Sequence, residues 1–127
     1  MKFVVVTGLV CPFDPQKKRR PAVVLGMVNG RVAVAPCSTN PERSGQVLVG
    51  GVLITSASPA HAATGLHADQ VIINVRDAAL YSLDSHFVKN CRQIGVLDTA
   101  LDKRIGENLR DMMKQYDLLH CQHTFDR

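Results

Sequence analysis

Up to about residue 90 the chain alternates short apolar runs with turn-forming residues, and beyond that point the spacing of its apolar positions lengthens. The runs are rich in Val and Ile and are bounded by Gly, Pro, Asn or Asp, which is the pattern of strands whose β-branched side chains pack on a pleated surface. They predict strands near Phe3–Cys11, Ala22–Met27, Arg31–Pro36, Gln46–Leu53 and Gln70–Val75, with a weaker one near Leu80–Val88. Val28-Asn29-Gly30-Arg31 contains the Asn-Gly pair of a two-residue hairpin, in which both central residues take positive φ, so the second and third strands are hairpin partners. Asn40-Pro41-Glu42-Arg43-Ser44-Gly45 reads as a loop. Ser56–Thr64, rich in Ala and Ser, has side chains too small to build a core and reads as a mobile surface loop.

After Gly95, Leu97, Leu101, Ile105, Leu109, Met112, Tyr116 and Leu119 recur three or four residues apart, which predicts a helix over about 98–119. Asp98 is placed to cap it by accepting from the open backbone donors of the first turn. Asp102, Lys103, Glu107, Arg110, Asp111 and Lys114 make the opposite face polar and of mixed sign. The fold class that follows is mainly β with a C-terminal α-helix: a small antiparallel barrel over about 1–90, one opening of which the helix covers. With 127 residues the chain is long enough for one cored domain and short for two.

Composition adds limits. Hydrophobic residues make up 46% of the chain and charged residues 20%, a globular balance, and without Trp the core must come from Val, Leu, Ile and Ala. Four scattered cysteines without a CxxC pair, and no secretory segment, lead to the expectation of a cytoplasmic protein with reduced thiols. The apolar start breaks at Thr7-Gly8, far short of the roughly 20 residues a membrane helix needs. His120, Cys121 and His123 are close together near the chain end but have no partner cluster of metal-site spacing, so no metal or other cofactor is expected. The formal charge of +4 leans toward an anionic partner, and its placement matters more than its size.

The longest cationic run, Lys17-Lys18-Arg19-Arg20, leads through Pro21 into the apolar strand Ala22-Val23-Val24-Leu25. Pro21 pushes Arg20 into an extended conformation, and a guanidinium fixed at a strand mouth matches phosphate oxygens two at a time. The same run also serves, more simply, as a solvated turn that keeps a sheet edge soluble.

Several short motifs occur in a fixed order: Pro12-Phe13-Asp14-Pro15, Arg20-Pro21-Ala22-Val23-Val24-Leu25, Val34-Ala35-Pro36-Cys37-Ser38-Thr39, Thr64-Gly65-Leu66-His67-Ala68-Asp69-Gln70-Val71 and Ile94-Gly95-Val96-Leu97. In that order they resemble the MazF/PemK family of toxin endoribonucleases, the toxin halves of type II toxin–antitoxin pairs. The resemblance implies an SH3-like barrel, a homodimer, a cognate antitoxin and metal-independent cleavage of single-stranded RNA. The family's arginine before proline falls on Arg20. Its strand-end hydroxyl falls on Ser38, with Thr39 beside it. The PemK-type Arg-Cys-Asp-Gln run corresponds to His67-Ala68-Asp69-Gln70, which retains the aspartate and carries histidine in place of arginine.

Metal-free RNA cleavage needs a base for the ribose 2′-OH, a cation for the charge building on phosphorus and an acid for the leaving 5′-oxygen. Asp69 is the candidate base, Arg20 the cation, Ser38 the hydroxyl that orients the phosphate, and His67 the acid, since an ordinary imidazole is partly protonated near neutral pH. Lys17, Lys18, Arg19, Phe13, Thr39, Asn40 and Arg43 are the candidate RNA contacts around them. Two other classes stay open: a CcdB-like toxin that keeps the barrel and acts by binding alone, and an SH3-like peptide module, which would need more aromatic side chains than this chain has.

Overall fold

A computed structural model of the chain describes residues 2–10, 15–38, 50–118, 121 and 124–125. It is mainly β: an antiparallel, curled sheet with one long helix near the C-terminus. In chain order the elements are β1 (Lys2–Val10), β2 (Arg19–Val28), β3 (Arg31–Ser38), β4 (Gly51–Thr55), β5 (Gln70–Asn74), β6 (Ala79–Tyr81), α1 (His86–Asn90), β7 (Arg92–Asp98), α2 (Lys103–Tyr116) and β8 (Thr124–Phe125). Hydrogen-bonded neighbours run β4-β5-β3-β2-β1-β7, and β6 joins β3 and then β8. β4 and β7 are the open edges of a half-barrel.

Alternation explains the packing. Phe3, Val5, Val23, Leu25, Ala33, Ala35, Val52, Ile54, Val71 and Ile73 point to the concave side, where Ile105 and Leu109 of α2 join them in one core. Val6, Leu9, Ala22, Val34, Ala79 and Tyr81 form a smaller cluster on the convex side, against Phe87 and Val88 of α1 and Phe125 of β8. Tyr81 stacks obliquely on both aromatics, with ring centroids 5.0 Å from Phe87 and 5.2 Å from Phe125. Both faces of the central strands are therefore apolar, which is why those strands read as near-continuous runs of Val and Ala. Asn29 (φ 52°) and Gly30 (φ 77°) make the β2–β3 hairpin, with Val28 opposite Arg31.

The sequence expectations need correction in three places. The weak strand near Leu80–Val88 is short β6 followed by α1, because Ser85 turns the chain and its hydroxyl accepts from the Val88 N–H at 3.4 Å. The helix does not begin at Asp98. Arg92–Asp98 is strand β7, paired with β1, and Asp98 ends it opposite Lys2. Leu97 and Leu101 imitate a helical repeat, yet Leu97 is a strand residue in the core and Leu101 is 51% exposed in the following turn. The cap is Asp102, whose Oδ1 accepts from the N–H groups of Arg104 (3.1 Å) and Ile105 (3.4 Å). Of the strand expected near Gln46–Leu53, residues 46–49 lie outside the described residues and β4 runs from Gly51 to Thr55; Cys11, the loop from Asn40 to Gly45, and Leu119 also lie outside them.

The third correction concerns Ser56–Thr64, which is built into the structure. Ala60 is fully buried in the concave core and Thr64 is 1% exposed. Ser58 Oγ donates to Asp102 Oδ2 at 2.9 Å, so the helix cap also holds the loop. Small side chains let the loop backbone lie flat on β7: a Cβ on Gly95 would run into the Thr64 carbonyl, and one on Gly65 into the Ile94 carbonyl. The loop thus bridges the gap between edge strands β4 and β7.

Asp102 carries a pH dependence. The Ser58 hydroxyl and the two backbone donors hold its carboxyl below the ordinary carboxylate range. A depressed folded-state value means its contribution is full at neutral pH and is lost as pH falls through that value. Asp102→Ala is expected to cost about 1 to 2 kcal/mol at neutral pH, and less in acid, measured by denaturant unfolding at both pH values.

Candidate functional site

Antiparallel pairing decides which ends of which strands meet. β1, β3 and β4 end at one rim of the half-barrel, and β2, β5 and β7 begin there. That rim holds Arg19 and Arg20 at the start of β2, Ser38 at the end of β3, Thr55 at the end of β4, Gln70 at the start of β5 and Arg92 at the start of β7. His67 and Asp69 sit in the turn that enters β5 at the same rim.

Arg20 and Ser38 lie at the same rim, on adjacent strands. The β2–β3 ladder ends at Ala22 with Pro36, and Arg20 and Ser38 each lie two residues beyond that pair. Both lie on the convex side: Arg20 pairs with Leu9 of the convex cluster, and Ser38 alternates with Cys37 of the concave core. Arg20 is half-buried. Ser38 is 2% exposed and pairs across with Ile72 of β5. Beside it, burial pushes the Cys37 thiol up to about 12, so this sulfur is an inert core group.

Asp69 and His67 are both exposed. β3 separates β5 from β2, so the start of β5 lies two strand spacings, about 10 Å, from β2. The turn is held by its backbone. The Ser56 N–H donates to the Asp69 carbonyl at 2.8 Å, and His61 Nε2 lies 2.6 Å from the Ala68 carbonyl, which makes that nitrogen the protonated one. On its other side the turn leans on β7 through Gly65 and Ile94.

Lys17 and Lys18 are exposed in the turn before β2, with Lys17 in the left-handed region at φ 52°. Arg19 parts company with Arg20. It pairs with Val10 while Arg20 pairs with Leu9, so the two arginines leave opposite faces of β2. Phe13, Thr39, Asn40 and Arg43 lie outside the described residues, as do His120 and His123.

Two residues the sequence did not point to stand out. His61 ties the arms of the 56–69 loop together, and a histidine in an Ala/Ser-rich stretch carries no pattern that announces this. Arg92 was hidden because it lies between an expected weak strand and an apparent helix, in a stretch with no local periodicity of its own. A groove of about 460 Å³ at the opposite rim is lined mainly by apolar side chains, among them Leu25, Met27, Val28, Met113 and Leu118, together with Lys114 and Asp117. Among the described residues no three His, Cys, Asp or Glu side chains gather as metal ligands, and no helix is long and apolar enough to cross a membrane. No family model matches the chain, and no curated protein or solved structure matches it.

Proposed function

We propose that this protein is the toxin of a type II toxin–antitoxin pair, an SH3-like barrel of the MazF/PemK kind that cuts single-stranded RNA without a metal. The observation that supports this reading is that three separated segments, the start of β2, the end of β3 and the turn before β5, meet at one rim, where they carry a guanidinium, a hydroxyl, a carboxylate and an imidazole. In this reading Asp69 removes the ribose 2′-OH proton and the 2′-oxygen attacks phosphorus. Arg20 balances the charge on the equatorial oxygens, and His67 protonates the departing 5′-oxygen. The products are a 2′,3′-cyclic phosphate and a free 5′-hydroxyl. Ser38, 2% exposed, stands behind the strand end that carries the phosphate site. The toxin works as a homodimer, and its antitoxin covers the cationic rim with an acidic segment that folds on binding.

The burial of Ser38 favours a second reading, a CcdB-like protein that binds through the same rim and cuts nothing. Incubating the purified chain with single-stranded RNA in excess chelator separates the two. Fragments ending in 2′,3′-cyclic phosphate are the expected result. RNA that is retarded on a gel yet stays intact would leave the binding-only reading in its place.

A further inference from the structure

We infer that Arg19 and Arg92 form a second phosphate site, on the concave side of the rim around the Thr7–Gly8 bulge of β1, and that it holds a backbone phosphate of single-stranded RNA next to the one engaged by Arg20. The inference rests on the RNA reading above and adds to it where the strand runs.

Four observations converge. The β1–β2 register slips between Val6 and Leu9, and at the slip Gly8 takes φ +99°, a bulge that opens the strand backbone. A methyl on Gly8 would come within 3.2 Å of Arg19 Nη2, so the guanidinium lies across β1, directly against the glycine. From the other side of β1, Arg92 pairs with Thr7, the residue before Gly8. Thr7 and Val10 fall on the same side of the bulged strand, which sets their partners Arg92 and Arg19 on one face, opposite the face from which Arg20 projects.

Charge then asks for a ligand. Arg19 and Arg92 are both exposed, and among the described residues neither takes part in an ion pair. Two like charges on flanking strands repel each other, and a shared anion turns that repulsion into attraction. The guanidinium forks can each take two phosphate oxygens. Gly8, with no side chain, lets the Arg19 guanidinium lie across β1 toward the strand that carries Arg92. The turn bearing His67 and Asp69 leans on Ile94, two residues from Arg92, so a strand seated here passes the proposed reacting groups. Arg19 and Arg20, on opposite faces of β2, thereby serve consecutive phosphates on the two sides of the rim instead of competing for one.

The test is a salt titration of binding, using a fluorescently labelled single-stranded oligoribonucleotide and the full chain in chelator. Arg19→Ala and Arg92→Ala are each expected to raise Kd about 5- to 10-fold at roughly 0.1 M salt and to lower the slope of log K against log salt by about 0.7, the value for one lost contact on a single strand. Lysine at either position keeps the charge without the fork and is expected to fall between. Inorganic phosphate titrated into the wild-type chain is expected to shift the Thr7 and Gly8 amide resonances, and less so in Arg92→Ala. Unchanged Kd and slope in both alanine variants would overturn the inference. RNA that binds with the expected Arg19 and Arg92 dependence but is never cut would keep this site and remove the catalytic reading; RNA cut normally by both alanine variants with unaltered affinity would do the reverse.

Discussion

Replacing Gly95 by alanine is expected to cost at least about 3 kcal/mol, a large share of the 5–15 kcal/mol that holds a domain of this size together. The added Cβ would sit well inside van der Waals contact distance of the Thr64 carbonyl carbon and oxygen and of the Ala63 oxygen, all backbone atoms. Backbone cannot swing aside like a flexible side chain, so either β7 or the 56–69 loop must detach. Gly65→Ala is expected to do comparable harm: it meets the Ile94 carbonyl and in addition holds φ +72°. Gly30→Ala is the control. Its φ is +77°, but nothing lies within 4 Å of the new methyl, so only the left-handed backbone cost of about 1 to 2 kcal/mol applies. Equilibrium denaturation of the three variants checks the ranking. A Gly95→Ala protein as stable as Gly30→Ala would mean that the loop does not lie flat on β7.

Those two glycines also show how far this fold could be read from its sequence. Strands β1, β2, β3 and β5 were legible because Val-rich runs and an Asn-Gly turn are local signals, and the hairpin turn places the strands it joins. β7 was not. Leu97 and Leu101 happen to lie four apart, and only pairing with β1 makes Arg92–Asp98 extended. Propensity gave way there to a long-range partner. Ser56–Thr64 failed for a related reason, since composition reports side-chain size, whereas what this loop contributes is backbone that can approach another backbone. That the start of β2 and the end of β3 share a rim follows from the hairpin that joins them. That Arg19 and Arg20 part to opposite faces follows from simple alternation, while Arg92 enters only through register.

Arg20→Ala is expected to lower cleavage by a factor of at least about 10² to 10³, the range found when a positioned charge-stabilising donor is removed from a transition state, with little effect on folding. Arg20 is half-buried, at the rim where β2 begins, so its loss opens no cavity in either apolar cluster. Whether phosphate charge or acid–base transfer limits the rate is then decided at the turn before β5. His67→Ala is expected to reduce kcat and to reshape the alkaline side of the pH profile, because an imidazolium donor acts only while protonated. Asp69→Asn is expected to flatten the side governed by the base. Arg19→Ala, on the opposite face of β2, should raise KM with kcat nearly unchanged, the mark of binding that is equal in ground and transition states. The contrast between adjacent arginines is the sharpest test of the site: if Arg19→Ala and Arg20→Ala lose kcat equally, alternation along β2 does not sort their roles, and the chemistry does not sit on the convex side of the rim.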